Sequence, residues 1–274
     1  QELEGEERLI AFRILPKSLS ADVFSYLDSD AQTAIVSAIS DRELEQLMDE
    51  MFVDDAVDFL DEVPANVVRR VMQVSDPETR EIINKFLQYP ENSAGSIMTI
   101  EMVEFHDRLT AGEAIKQLRA TAPDKETIYN CYVIDDSRHL TGVLPLRRLL
   151  LAKDGDRIRE MMDKEEQVIS VNTLDDQEEV ADLVRKYDLI SVPVVDNEGR
   201  LVGIITVDDI VDVIEEEATE DFEKMALLQP SEDTYLKTGV FKLAKNRIVW
   251  LLILMVTATF TGQTITSYET MLAA

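Results

Sequence analysis

The segment from Asp208 to Glu223 reads DDIVDVIEEEATEDFE, with nine acidic residues in sixteen and neither Lys nor Arg. A second block, Ser20 to Glu62, carries thirteen carboxylates against the single base Arg42. Carboxylates at this density are candidate oxygen ligands for cations. Asp212 and Glu216, Glu216 and Glu220, Glu217 and Asp221, and Asp54 and Asp58 are each four residues apart. On a helix each such pair repels by about 0.2–0.5 kcal/mol unless something positive intervenes. Any one of these acids taken alone reads as a solvated surface group. Their concentration in separate blocks, with no basic block to match, is what points to cations.

The whole chain agrees. Its 274 residues hold 55 acids and 27 Lys or Arg, a formal charge of -28, which argues against nucleic acid and anionic membrane surfaces as partners and for cations or basic proteins. His106, His139 and Cys131 do not stand at zinc-ligand spacing. Cys131 lies in the apolar run IYNCYVID, is expected in a core, and as the sole cysteine excludes an internal disulfide. No GxxxxGK, GxGxxG or GxSxG occurs, and no nucleophile and base can be paired, so no enzymatic activity is expected.

Three kinds of element must position the acids. The first 90 residues or so show helical periodicity, as in Val23, Phe24, Leu27, Ala31, Ala34, Ile35 and Ala38, with a break at Asp28 to Asp30 and with Pro64 and Pro77 where new helices would start. Stacked helical hairpins in a short solenoid are expected. In the middle, YVIDDSRHLTGVLPLRRLL from Tyr132 repeats as PVVDNEGRLVGIITVDDIV from Pro193, an offset of 61. Each copy reads as strand, turn, strand, helix, preceded by a helical run and by SIMTIEMVEF or REMMDKEEQVISV. Two tandem β-α-β-β-α units with a cleft on each side follow, so the fold class is α+β and multidomain. Finally, Ile210, Val211, Ile214, Ala218, Phe222 and Met225 form the apolar stripe of a connecting helix.

Beyond it, Ile248 to Ile265 is an eighteen-residue uncharged run after Lys242, Lys245 and Arg247. A first transmembrane helix over about 248–265 is expected, with residues 1 to about 245 cytoplasmic by the positive-inside rule; a buried core helix is the alternative. No secretory n-region is present and the chain opens on Gln1 without a Met, as expected of a fragment.

The paired units resemble a tandem of CBS domains. The order of helical solenoid, CBS pair, acidic helix and membrane helix resembles the MgtE family of magnesium channels and transporters. The motifs that carry this are IMT at Ile97, APDKETIYNCYVID from Ala122, DDQEEVADLVRKYD from Asp175, GRLVGIITVDDIVDVIEEEATED from Gly199, and RIVWLLIL from Arg247. The corresponding parts are an N-terminal helical domain (1–92), CBS 1 (93–155), CBS 2 (156–213), a connecting or plug helix (214–240) and the start of a transmembrane domain (241–274). The resemblance implies a homodimer in the cell membrane, joined through its CBS domains, whose cytosolic part senses Mg2+: compact and closed with ions bound, open when Mg2+ falls.

The family's ligand positions fall on Asp22, Asp54 and Asp58 in the helical domain, and on Ser96 through its carbonyl at the junction. In the CBS region they fall on Asp176, Asp188, Asp209 and, through its carbonyl, Arg185, a departure that sets a cation beside the site. On the plug helix they fall on Asp212, Glu217, Glu220 and Asp221. Two other readings remain. A CBS cleft binds adenine nucleotide such as ATP through a hydroxyl and an acid three residues on, and Thr206 and Asp209 supply both, whereas Pro145 and Arg148 in the first repeat supply neither. A helical protein-interaction scaffold is the third, and it predicts no effect of Mg2+ on shape.

Overall fold

The computed structural model describes residues 5–164, 168–225, 252–263 and 265. It divides into two units, Gln1–Val211 and Asp212–Ala274.

The first unit begins with seven short helices: α1 Gly5–Ile14, α2 Lys17–Ser25, α3 Ser29–Ala38, α4 Asp41–Glu50, α5 Val53–Glu62, α6 Ala65–Val74 and α7 Pro77–Phe86. Their short connections are written in capping chemistry. Asp28 accepts from the Ala31 amide at 2.8 Å and starts α3; Ser40 and Glu43 form a reciprocal capping box on α4; Pro64 precedes α6 and Pro77 opens α7 behind the cap Asp76. The apolar faces meet in one core, where Phe24, Leu44, Val71 and Ile83 are fully buried and the Phe24 ring meets Phe59 edge-on at 5.0 Å. Arg70 of α6 donates to the Ile39 carbonyl at 2.8 Å, to the Val36 carbonyl and to the Asp41 carboxylate, so one guanidinium ties the end of α3 and the start of α4 to α6.

Two β-α-β-β-α units follow. The first is β1 Val103–His106, α8 Ala111–Thr121, β2 Asn130–Ile134, β3 Leu140–Pro145 and α9 Leu146–Leu151; after α10 Ile158–Met161 and β4 Asp163–Lys164, the second is β5 Val171–Asn172, α11 Gln177–Tyr187, β6 Ser191–Val195, β7 Leu201–Thr206 and α12 Val207–Met225. In each, the first strand pairs parallel with the second, and the second antiparallel with the third.

The units are interlocked by the segments that lead into them. Thr99, ahead of the first unit, exchanges both backbone hydrogen bonds with Ile204 of β7, at 2.8 and 2.9 Å. β4, ahead of the second unit, pairs with β3 of the first. Each crossing passes over a glycine: a Cβ at Gly203 would lie 2.6 Å from the Thr99 carbonyl oxygen, and one at Gly142 would strike that of Asp163. Met98 and Met162 cover the two glycines in turn. The hairpin tips also meet, with the Leu201 amide donating to the Arg138 carbonyl at 2.9 Å and the Leu140 amide to that of Gly199 at 3.2 Å.

Helix α12 starts at Val207, at the end of β7, so Thr206 and the acids from Asp208 onward are continuous with the second CBS unit's hairpin. The expected connecting helix beyond Met225 lies outside the described residues. Of the expected membrane segment, residues 252–263 are helical, about 18 Å at 1.5 Å per residue; its ends lie outside the described residues. Among the described residues no helix is long and apolar enough to cross a membrane.

Candidate functional site

The helical domain approaches the CBS pair through its acids. Asp54, in the first turn of α5, is only 7% exposed. Its carboxylate accepts from the Asp55 amide at 3.0 Å, a bond that favours the charged form. Burial and the negative charges of Asp209, Asp55 and Glu126 overwhelm that bond and hold its pKa well above the usual carboxylate range.

Three neighbours share the same strain. Burial first, and then the charges of Asp22, Asp208 and Glu101, push Asp55 up to about 6 against the lowering effect of the nearby Ser25 hydroxyl. Glu126, in the loop between α8 and β2, is pushed up to about 7 by burial and by Asp208, Asp209, Asp55 and Glu101. Asp209, in the first turn of α12, is pushed up to about 6 by burial, with Thr206 lowering it and Asp208 and Asp55 raising it. The charges that act most strongly on all four groups are therefore negative, and they come from α2, α5, the approach to β1, the loop before β2, and α12.

Local bonds orient the CBS side of this cluster. The Thr206 hydroxyl reaches Asp209 at 2.7 Å and Asp208 at 2.5 Å, and its amide reaches Asp209 at 3.3 Å, so bonds at the start of α12 aim its acids. Glu101 accepts from the Thr99 hydroxyl at 2.5 Å and from the Ile100 amide at 3.1 Å, while its own carbonyl accepts from the Glu126 amide at 2.8 Å. Among the described residues no three His, Cys, Asp or Glu side chains stand together as a ready metal-ligand set. The arrangement is instead one of partly buried carboxylates that raise one another's pKa.

The expected ligands thus separate into groups. Asp22, Asp54 and Asp209 enter the one cluster. Asp58 lies on the same helix as Asp54 but is exposed, whereas Asp54 is buried. Asp176 caps α11 by accepting from the Glu178 amide at 2.9 Å, and it bridges to Ser93 of the junction that also holds Ser96. Asp188 sits past the other end of α11 in the left-handed region, φ 51°, and Arg185 pairs there with Asp182 at 2.6 Å. The eleven residues of α11 rise about 16 Å, so Asp176 and Asp188 cannot share one ion. Asp212, Glu217, Glu220 and Asp221 lie along α12 in the second unit, where Lys224 pairs with Glu220 at 2.7 Å.

Cys131, His139 and Arg148 are each buried or held by local bonds. Cys131 is fully buried and burial pushes its thiol up to about 12. His139 pairs with Asp135 at 3.1 Å in the β2–β3 turn. In the first repeat Arg148 stands where the second has Asp209, and it donates to the Asp163 carboxylate at 2.8 Å and the Met161 carbonyl at 2.6 Å.

Comparison with known proteins accounts for this layout. Residues 1–92 match the model of the MgtE intracellular N domain, and residues 158–216 match that of the CBS domain. The chain is 39% identical to the magnesium transporter MgtE of Thermus thermophilus over 277 residues, which cover 100% of this chain and 61% of that protein. The corresponding transporter of Bacillus subtilis is 31% identical, with 98% and 61% covered. A crystal structure of the soluble part of a magnesium transporter superposes with a TM-score of 0.75 at 34% identity, over 80% of this chain and 85% of that one.

The chain belongs to the MgtE family. It spans about three-fifths of the length of the MgtE relatives it matches. The cytosolic domain of the Mg2+ channel MgtE in complex with ATP is a second structural match, with a TM-score of 0.72, 41% identity, and 77% of this chain and 86% of that one covered. The MgtE resemblance did not single out Asp55, Glu101, Glu126 or Asp208. Glu126 lies inside the motif APDKETIYNCYVID, but it is in a loop where no periodicity marks it, and its partners come from other elements.

Proposed function

We propose that this chain is the Mg2+-sensing cytosolic part of a magnesium channel or transporter, with Mg2+ held between the helical domain, the CBS pair and the acidic helix. The observation that carries this reading is the buried Asp54 facing the charge of Asp209, with Asp55 and Glu126 beside them. Like charges in low dielectric oppose the docked arrangement, and a divalent cation between them reverses the sign of the interaction. With Mg2+ bound the docked, compact state is favoured and the attached pore is closed. When Mg2+ falls, repulsion separates the acidic surfaces and the pore is free to open.

Weak sites suit this role. A site filled at ten times its dissociation constant contributes about 1.4 kcal/mol to the state that binds, so several sites act together as a graded switch. Asp22, Asp58, Ser96 with Asp176, Asp188 with the Arg185 carbonyl, and Asp212, Glu217, Glu220 and Asp221 would supply further weak positions. The homodimer and the membrane attachment belong to the same proposal. Small-angle scattering and limited proteolysis across a millimolar Mg2+ titration test it: the chain should become more compact and more resistant, and an unchanged radius and cleavage rate would overturn the reading.

A second reading is favoured by the ATP complex of the similar cytosolic domain. Thr206 and Asp209 are the pair that would take a ribose, and here they are bonded to each other at 2.7 Å and face the helical domain's acids. Nucleotide titration with and without Mg2+ separates the two, because a ribose on Asp209 competes with the docked helical domain.

A further inference from the structure

The chain between the helical domain and the CBS pair is not a free linker. The Ala94 amide donates to the Asp175 carbonyl at 2.8 Å, the Gly95 amide to that of Thr173 at 2.9 Å, and the Gln177 amide returns to the Asn92 carbonyl at 2.9 Å. Ser93 and Ala94 are 3% and 0% exposed. The strip is also folded on itself: the Ser93 hydroxyl donates to the Pro90 carbonyl at 2.7 Å, the Ser96 hydroxyl to the Ser93 carbonyl at 2.8 Å, and Asn92 takes φ 59° to make the turn. Residues Leu87, Gln88, Pro90 and Glu91, by contrast, are exposed. The amides of Leu87, Gln88 and Tyr89 bond only backward, to Ile83, Lys85 and Phe86 of α7.

Besides the Ser93 hydroxyl on the Pro90 carbonyl, an aromatic side chain connects the two stretches. Tyr89 meets Phe86 of α7 edge-on at 5.9 Å and lies over Gly95, where a Cβ would sit 2.6 Å from its ring and 2.8 Å from the Thr173 carbonyl oxygen. Gly95 is thus the position where ring, strip and CBS backbone close on one another.

We infer that Asn92–Ser96 is a clasp that stays fastened to Thr173–Gln177, that Leu87–Glu91 is the pivot on which the helical domain turns, and that Tyr89 against Gly95 is the latch of the docked orientation. The inference rests on the sensing reading for its trigger. Its physical basis is separate: hinges sit where an element ends and few contacts hold the backbone, and the buried, cross-bonded strip is the stiffer of the two stretches. A fastened clasp confines the helical domain to a swing about one point, so the acids of α5 return to the same place opposite Asp209 whenever the domain redocks.

NMR-detected hydrogen exchange on this chain, with and without Mg2+, tests the clasp. The Ala94, Gly95 and Gln177 amides should stay protected in both conditions, while those of Leu87, Gln88 and Glu91 exchange faster once Mg2+ is removed. Loss of protection at Ala94, Gly95 and Gln177 on removing Mg2+ would overturn it. Tyr89→Ala should raise the Mg2+ midpoint for compaction roughly three- to tenfold with clasp protection intact, and Tyr89→Phe should leave the midpoint as in the unmodified chain; an unchanged midpoint in Tyr89→Ala would overturn the latch. Should the unmodified chain not respond to Mg2+ at all, the sensing reading fails, and the contrast between clasp and pivot amides in metal-free protein still decides the clasp.

Discussion

The charge of Asp209, at the start of α12, raises the pKa of Asp54, at the start of α5. A helical domain and a CBS hairpin far apart in the chain therefore meet through groups that repel. Ordinary domain contacts place apolar or oppositely charged groups at such a point, since an unpaired buried charge costs several kcal/mol. Here the cost falls on the docked state alone, which makes docking conditional on something that neutralises it.

Asp54→Asn removes both the buried charge and the proposed ligand, and the two effects have opposite signs. Without Mg2+ the variant should be more stable than the unmodified chain, by on the order of 1 kcal/mol. With saturating Mg2+ it should gain less from the metal than the unmodified chain does. Thermal unfolding at both conditions reads the crossing. A variant less stable in both conditions by the same amount would make Asp54 a structural residue only.

Proton linkage gives a second test. Asp55 and Asp209 are raised to about 6 and Glu126 to about 7, from 3.8 and 4.5. Raised carboxylates contribute stability that is fully present below the unfolded values near 4 and is lost as pH rises through the folded values of about 6 to 7. The metal-free chain should accordingly be more tightly docked at pH 5 than at pH 8. Mg2+ binding near pH 6.5 should release protons, seen as a calorimetric enthalpy that depends on the ionisation heat of the buffer. An enthalpy independent of buffer would contradict the arrangement.

The parts that follow a period were legible in the sequence, and the parts that follow tertiary approach were not. The 61-residue offset anticipated both hairpins, and Pro64 and Pro77 stand at helix starts where proline chemistry puts them. The equal spacing of Asp54 and Asp58 gave no hint that one is buried and the other exposed. Nor did Glu126 announce itself: its loop has no repeat, and its relation to Asp209 exists only once β2 and α12 lie in one fold. The apolar stripe from Ile210 also anticipated a helix there, and α12 runs from Val207 to Met225.

The interlocked glycines predict a stability effect independent of any ion. Gly203→Ala places a Cβ 2.6 Å from the carbonyl oxygen of Thr99, a residue held by two backbone hydrogen bonds exchanged with Ile204. The strip holding Met98 and Thr99 must move or the pairing must break, at a cost of roughly 2–4 kcal/mol. Urea unfolding measures it. Gly155→Ala, where a Cβ meets nothing within 4 Å, is the matched control and should change little.

We propose that a divalent cation sits between Asp54 and Asp209. Mn2+ takes the same carboxylate and water ligands as Mg2+ and scatters anomalously, so a crystal of this chain grown with Mn2+ reads the position directly. An anomalous peak between α5 and the first turn of α12, absent in Asp54→Asn, is the predicted result; a docked helical domain with no peak there would contradict the account.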